Sequence, residues 1–300
     1  MLRAYDYRDF PADRLAAAKR GRRVSVCLPA RDEEETIGDA VRTIRRELVD
    51  DYDIVDEIVV MDDGSTDQTA EVAAAAGATV VAAATVLPQY GSEHGKGEAM
   101  WRAVHVASGD LIVFCDADIR DFNSVFVLGL VGPLLTRDDV SFVKGYYERP
   151  IDGRPREGGR VTELMARPVI SVFFPHLAEL VQPLAGECAA PREVLEAVPF
   201  VGGYGVDLGL LIDVSERFGR HSLVQCDLGQ RVHRNRPLTD LSVQSLAVLQ
   251  VALQRAGVLE ADDGGFGLSA QLLRPGSDPT TVTFVDCPPL MEIGGGRKTA

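Results

Sequence analysis

The stretch 111–119 constrains the fold more than any other part of the sequence. Five apolar residues without polar alternation run directly into two carboxylates, Asp116 and Asp118. Such a short, β-prone run predicts a strand buried on both faces, and the strand should end at Asp116 because a lone buried carboxylate is costly. Open α/β sheets bind ligands at the carboxyl ends of central parallel strands. Two carboxylates there suit a hard divalent cation carrying a nucleotide diphosphate, although a turn with solvated aspartates is the simpler alternative.

Strand–helix units around this stretch predict an α/β fold with a mostly parallel sheet. Strands are expected at 24–28, 57–61 and 79–81, and helices begin near Glu34, Gln68 and Gly95. Later helices are expected at 125–135, 161–174, 206–218 and 238–255, and later strands at 140–147 and 223–226. The chain divides into a leader at 1–22, a nucleotide-sugar half at 23–150, an acceptor half at 151–260 and a tail at 261–300.

Composition excludes several classes of partner. The formal net charge is -14 and the sequence pI is near 4.8, which argues against a nucleic-acid binder. The five cysteines are scattered without C-x-x-C spacing, so buried free thiols and a cytoplasmic protein are expected. The sequence begins without a signal peptide, and no run of 18 apolar residues predicts a membrane span.

Three short acidic motifs follow predicted strands in order. They read P-A-R-D-E-E at 29–34, D-D-G-S-T-D at 62–67 and D-A-D at 116–118. Together they resemble the motifs of the GT-A glycosyltransferases, a Rossmann-like fold. The resemblance implies that the first loop and the second turn hold the nucleoside, and that the later acidic pair holds the metal and the diphosphate.

Five longer sequence segments make the resemblance more specific. They read G-K-G-E-A-M-W-R at 95–102, G-G-R-V-T-E-L at 158–164, Q-P-L-A-G-E at 182–187, G-Y-G-V-D at 203–207 and H-R-N-R-P-L at 233–238. These resemble segments of the actinobacterial glucosyl-3-phosphoglycerate synthases over roughly residues 21–255. The chain departs from that pattern at Asp207, where the family has Glu. The resemblance implies retaining transfer of glucose from UDP-glucose to the 2-hydroxyl of 3-phosphoglycerate, with Mg²⁺, or Mn²⁺ or Co²⁺ as substitutes, in a homodimer.

The residues themselves support parts of this assignment. Lys96 lies between glycines before a helix, where a cation can approach a diphosphate closely, although it could also be a solvated loop lysine. His233 lies among arginines, which should keep its imidazole neutral and able to bind metal; a basic surface turn is the alternative. Arg160, Arg231 and Arg236 are notable in so acidic a chain, because arginine binds phosphate and carboxylate bidentately.

The resemblance implies a role for each matched position. The donor site would comprise Pro29, Ala30, Arg31, Glu33, Asp63, Ser65, Lys96, Asp116, Ala117, Tyr204 and Arg231. The acceptor site would comprise Gly159, Arg160, Val161, Thr162, Asn235 and Arg236. Asp118 and His233 would hold the metal, while Asp118, Asp207 and Lys96 would act in catalysis. Tyr204 could equally be structural.

Several alternatives stay open on the sequence alone. A mannosyl-3-phosphoglycerate synthase would use GDP-mannose, although short, tight loops at 29–33 and 63–65 favour the smaller uracil ring. A polyprenyl-phosphate sugar transferase would need hydrophobic or basic amphipathic anchors, which this chain lacks. A catalytically silent binding protein would usually have lost the acidic pair or the histidine. No residue must be a covalent nucleophile, so a front-face mechanism is the more economical hypothesis.

Overall fold

The computed structural model describes residues 2–91, 95–148, 159–231, 238–260 and 267–293. Strands in these ranges are β1 (Arg3–Asp6), β2 (Val24–Ala30), β3 (Glu57–Asp62), β4 (Thr79–Ala82), β5 (Leu111–Phe114), β6 (Phe142–Glu148), β7 (Cys188–Pro191), β8 (Phe200–Val201), β9 (Leu223–Gln230), β10 (Gly267–Leu272) and β11 (Thr280–Cys287). The α-helices are α1 (Ala12–Ala18), α2 (Ile37–Ile44), α3 (Thr69–Ala75), α4 (Lys96–Val106), α5 (Val125–Thr136), α6 (Arg167–Phe173), α7 (Arg192–Glu196), α8 (Val206–Phe218) and α9 (Leu238–Arg255). Wider π-helical turns extend α2 through Arg45–Asp50 and lead into α6 from Thr162–Ala166.

The main sheet contains eight strands in the order β1-β9-β6-β7-β5-β2-β3-β4. Strand β7 runs antiparallel to its neighbours β5 and β6, while the other neighbouring pairs are parallel. A smaller sheet has the order β10-β11-β8. The prediction of an α/β fold with a mostly parallel sheet is therefore confirmed.

The main sheet is buried on both faces. Val26 and Val113 belong to an apolar cluster with α1, α2 and α5, whereas Cys27 and Phe114 belong to a second cluster with α4, α6 and α8. All four residues of β5 are buried, as an apolar run without alternation predicts. The central strands are thus packed between two layers of helices, which positions the polar residues at their carboxyl ends.

Strand β5 ends at Phe114, two residues before the predicted end at Asp116, while β2 continues past the predicted end at Leu28. The two strands end at different points because their pairing with each other stops before β2 ends. Cys115 donates its N–H to the Cys27 carbonyl as the last β2–β5 bond, and beyond it β2 pairs only with β3. Pro29 faces the side that β5 has left, so its missing N–H breaks no ladder bond. The divergence of β2 and β5 opens space at the acidic end of β5.

Five strands of the two sheets were not predicted, namely β1, β7, β8, β10 and β11. Strand β1 lies in the expected leader and pairs in parallel with β9, with Arg3 beside Val224. The β10–β11 hairpin lies in the expected tail, and β11 pairs with β8. The division of the chain into four parts stays a prediction. In the ranges that the structure covers, no helix has the length and apolarity needed to cross a membrane.

Candidate active site

A cavity of about 790 Å³ opens at the carboxyl ends of β2, β3 and β5. That volume is typical of small-molecule sites. Among its lining residues are Pro29, Ala30, Arg31, Glu33, Asp63, Lys96, Asp116, Ala117, Asp118, Gly159, Arg160, Val161, Thr162, Tyr204, Asp207 and Arg231. These are the predicted site residues that fall in described ranges, with the exception of Ser65. His233, Asn235 and Arg236 lie outside the described residues.

The acidic pair after β5 is held by two cations. Asp116 binds the Lys96 ammonium through Oδ1 at 2.9 Å and Nη1 of Arg231 through Oδ2 at 2.9 Å. Asp118 accepts a hydrogen bond from Nη2 of Arg231 at 2.5 Å through Oδ1. Lys96 comes from the first turn of α4 and Arg231 directly follows β9, so these two elements converge on the end of β5.

Arg231 is anchored from behind by residues that the cavity does not reach. Its Nη1 donates to Glu187 Oε1 at 2.8 Å and to the Tyr147 hydroxyl at 2.6 Å. The Arg231 side chain is 4% exposed and that of Glu187 is fully buried. Buried charges of this kind are tolerated because they are paired and hydrogen-bonded. Sequence reasoning missed both supports, although Glu187 ends one of the motif blocks.

A second lysine reaches the site from the interior. Asp207 opens α8 and accepts from Lys96 Nζ at 3.2 Å through Oδ2. Through Oδ1 it accepts from Lys144 Nζ at 3.1 Å. Lys144 lies on β6 and its side chain is 2% exposed. Sequence reasoning missed Lys144, because it is a single lysine inside a predicted strand and belongs to no recognised motif.

The charges in this cluster stabilise one another. Burial alone would lower the pKa of the Lys96 ammonium, but the carboxylates of Asp116 and Asp207 outweigh burial and raise the pKa above the ordinary lysine value. Burial alone would raise the pKa of Asp116, but Lys96 and Arg231 outweigh it and hold the pKa well below its usual range. The site therefore keeps fixed positive charge beside ionised carboxylates across the neutral range.

The two loops predicted to bind the nucleoside are tied together. Asp32, at φ +55°, accepts the Thr66 N–H at 2.7 Å through Oδ1 and donates its own N–H to Ser65 Oγ at 3.1 Å. Glu33 donates its N–H to Thr69 Oγ1 at 2.8 Å. Ser65 thus connects the loops from outside the cavity, while Arg31, Glu33 and Asp63 line it.

Helix α4 begins unusually close to the turn that precedes α8. A Cβ on Gly97 would lie 1.8 Å from the Val201 carbonyl oxygen, so a larger residue cannot occupy this position. Across this contact, Oε2 of Glu98 accepts the Gly203 N–H at 2.8 Å. The close approach places Lys96, at the start of α4, beside the turn that carries Tyr204.

The far wall of the cavity comes from late elements that the sequence analysis did not assign to the site. It consists of Leu241, Val243, Gln244, Ala247 and Val248 of α9, and of Thr281, Val282, Thr283 and Phe284 of β11. The amphipathic pattern predicted α9 as a helix, but a pattern does not show which neighbour its apolar face meets. Arg255 of α9 connects this wall to α8 through Asp213 at 2.8 Å and to β11 through Asp286 at 2.8 Å.

The donor atoms suit a divalent cation, with one predicted ligand outside the described ranges. Residues that the structure describes include no group of three or more His, Cys, Asp or Glu side chains placed to hold a metal. The Asp118 side chain is 36% exposed at the cavity, and its carboxylate oxygens are the kind that Mg²⁺ and Mn²⁺ bind. His233, the second predicted ligand, follows Arg231 by two residues. The residues present therefore fit a hard cation at Asp118.

Comparison with known proteins identifies the family. The family model described as glycosyl transferase family 2 matches residues 25–175. Glucosyl-3-phosphoglycerate synthase of Mycolicibacterium smegmatis is 47% identical over 287 residues, which is 93% of this chain and 92% of that protein. The crystal structure of glucosyl-3-phosphoglycerate synthase from Mycobacterium tuberculosis with Mn²⁺, UDP-glucose and phosphoglyceric acid matches with a TM-score of 0.85 and 42% identity, over 97% of this chain and 98% of that one. A structure of the same enzyme with Mg²⁺ and UDP matches with a TM-score of 0.82 and 43% identity, over 97% and 98% of the two chains. The chain therefore belongs to glycosyl transferase family 2 and, within it, to the glucosyl-3-phosphoglycerate synthases.

Proposed function

We propose that this protein transfers glucose from UDP-glucose to the 2-hydroxyl of 3-phosphoglycerate, with retention of anomeric configuration. The observation that carries the proposal is the cavity itself, in which Lys96 and Arg231 flank the acidic pair after β5 in a chain of this family. A sugar donor with a diphosphate leaving group and an acceptor with a phosphate and a carboxylate both need fixed cations.

The donor would lie along the carboxyl edge of the sheet. The hydrogen-bonded loops at 29–33 and 63–65 would hold the nucleoside. Lys96 and Arg231, which bind Asp116, would contact the diphosphate. Charge develops on the departing UDP as the glycosidic bond breaks. Lys96 and Arg231 are already oriented by buried partners, so they stabilise that charge without rearranging.

A divalent cation would be held by Asp118 and His233. Mg²⁺ or Mn²⁺, the ions in the matched structures, would act there as a Lewis acid that neutralises charge on the diphosphate. Arg231 donates to Asp118 and so orients this ligand from the side opposite to solvent.

The acceptor would bind on the side formed by Gly159, Arg160, Val161 and Thr162, with Asn235 and Arg236 completing the site. Arg160 lines the cavity and would bind the phosphate or carboxylate of the acceptor bidentately. Asp207 would face the sugar or the acceptor hydroxyl. Both of its oxygens are bound by lysines, which supports a front-face mechanism over covalent attack by this carboxylate.

We also propose that the protein is a homodimer that works in the cytoplasm. The support is the family relationship together with exposed apolar side chains on and before α6, where Leu164 is 73% and Val172 is 71% exposed. Light scattering after size-exclusion chromatography measures the mass directly. A single 32.4 kDa species at micromolar concentration would contradict the dimer.

A direct assay tests the proposed reaction. Purified protein with Mg²⁺ and 3-phosphoglycerate is given UDP-glucose or GDP-mannose, and released nucleotide and product are measured. We expect a higher kcat/KM with UDP-glucose and an α-linked product by NMR. Faster mannosyl transfer with tighter GDP binding would overturn the donor assignment, and binding of both substrates without turnover would indicate a silent binding protein.

A further inference from the structure

We propose that Lys144 is a positioning residue of the reaction, which acts by fixing the Asp207 carboxylate in the orientation that faces the donor sugar and Lys96. The inference rests on the proposed function, because it concerns the same site. Lys144 does not line the cavity, so its effect must pass through Asp207.

The geometry makes Asp207 the partner of Lys144. The lysine lies on β6, its side chain is 2% exposed, and its ammonium binds Asp207 Oδ1 at 3.1 Å. Among the described residues, no other carboxylate forms a salt bridge with Lys144. A buried ammonium is costly unless it is paired, so loss of this contact is strongly disfavoured and the two side chains hold each other in place.

The Lys144–Asp207 salt bridge also determines which oxygen of Asp207 faces the cavity. Because Lys144 holds Oδ1 on the interior side, Oδ2 is left to face Lys96 at 3.2 Å. Lys96 in turn binds Asp116 at 2.9 Å. A series of salt bridges therefore runs from the core to the predicted diphosphate site, in the order Lys144, Asp207, Lys96 and Asp116. Without Lys144, Asp207 can rotate about its side-chain bonds and Lys96 loses one fixed partner.

Stability alone does not account for a lysine at this position. Replacing a buried ion pair by apolar residues of similar volume is often neutral or stabilising. Position 144 lies beside Cys188 of β7 in the middle of the main sheet, where an apolar side chain would pack well. A buried charge at this position, paired with a carboxylate that lines the cavity, indicates a role in the site.

The test compares Lys144→Met with Lys19→Met. Lys19 is a matched control, because its side chain is 11% exposed and its ammonium binds Asp56 at 2.9 Å, directly before β3 and outside the cavity. We expect Lys144→Met to lower kcat by about tenfold or more with little change in KM for 3-phosphoglycerate, whereas Lys19→Met keeps the wild-type kcat. Equal kcat values for the two variants would overturn the proposal.

Two further measurements separate positioning from a structural role. In an Asp207→Asn background, Lys144→Met should slow the enzyme little further, because residues that act as a unit are not additive. A full additional loss would overturn the proposal. If Lys144→Met does not fold, Lys144→Gln, which keeps a donor but loses the charge, takes its place in both comparisons.

A binding measurement keeps the inference independent of turnover. Calorimetry with UDP and with UDP-glucose, in the presence of Mg²⁺, gives the ratio of the two Kd values for each variant. We expect that ratio to change by about threefold or more in Lys144→Met and not in Lys19→Met, because UDP lacks the sugar that Asp207 faces in this proposal. An unchanged ratio of Kd values would overturn the role of Lys144. If the wild-type protein transfers no glucose, that result would instead overturn the proposed reaction alone.

Discussion

Glu98 offers the sharpest test of how the site is held together. Its side chain is buried in the first turn of α4, and Oε2 accepts the Gly203 N–H at 2.8 Å. Glu98→Ala removes this bond and leaves a backbone donor without its acceptor. A hydrogen bond to a charged group contributes about 1.5–3 kcal/mol, so we expect a loss of about 2–3 kcal/mol in the free energy of unfolding.

That loss should appear as a lower melting temperature. For a domain of this size, about 1 kcal/mol lowers the melting temperature by about 2–3 °C, which predicts a fall of roughly 4–9 °C. Glu98→Gln keeps an oxygen that can accept the Gly203 N–H, and it should lose less than half as much. Calorimetry of the three proteins at the same pH gives the comparison.

The hydrogen bond between Glu98 and Gly203 should also affect donor binding, which a purely structural bond would not. The turn at Gly203 carries Tyr204 and leads into α8, so loosening it should raise KM for UDP-glucose by about tenfold. Glu57→Ala is the matched control, because Glu57 Oε2 accepts the Ser108 N–H at 2.8 Å near the amino ends of β3 and β5, away from the cavity. If Glu98→Ala and Glu57→Ala lose similar stability and neither changes KM, the reasoning about the turn is refuted.

Three further predictions concern the metal, the acceptor and pH. Asp118→Asn should weaken Mg²⁺ binding in the presence of UDP by roughly tenfold or more, measured by calorimetry, because the site loses a charged ligand; unchanged affinity would remove Asp118 from the metal. Arg160→Ala should raise KM for 3-phosphoglycerate by about tenfold to a hundredfold and leave KM for the donor nearly unchanged; a selective loss of donor binding would place Arg160 on the wrong substrate. Burial raises the pKa of Asp213 to about 6 in spite of the Arg255 guanidinium. Because the folded state then holds this proton more tightly than the unfolded chain, the stabilisation is fully present below about pH 4 and about 3 kcal/mol is lost as the pH rises through 6. Asp213→Asn should remove that component from urea unfolding curves at pH 4 and pH 7.5, and identical pH dependence in the two proteins would contradict the raised pKa.

The sequence was most informative where local pattern and chemistry coincide. The apolar run before Asp116 predicted a doubly buried strand, and the structure has one. Helices α8 and α9 have the predicted bounds, because their apolar spacing is regular and each begins after a glycine or proline. The acidic motifs lie at strand ends, where a parallel sheet brings together residues from distant parts of the chain.

Long-range pairing was not predictable in the same way. Nothing local in residues 3–6 indicates that they pair with β9, and nothing in β11 indicates that it lines the cavity beside α9. Lys144 and Glu187 were missed for a related reason. Their importance comes from being buried beside Asp207 and Arg231, which is a property of the fold rather than of either residue type.

The pairing of β1 with β9 has a consequence for how the chain folds during synthesis. Arg3 lies beside Val224, so about 220 residues must be made before the first strand can find its neighbour. At translation rates of about 5–20 residues per second, the first strand waits roughly 10–45 s. The β2, β3 and β4 pairing needs only nearby residues and can form in that interval. We therefore expect the donor half to fold on the ribosome before the edge of the sheet closes, with β1 exposed longest to chaperones and proteases.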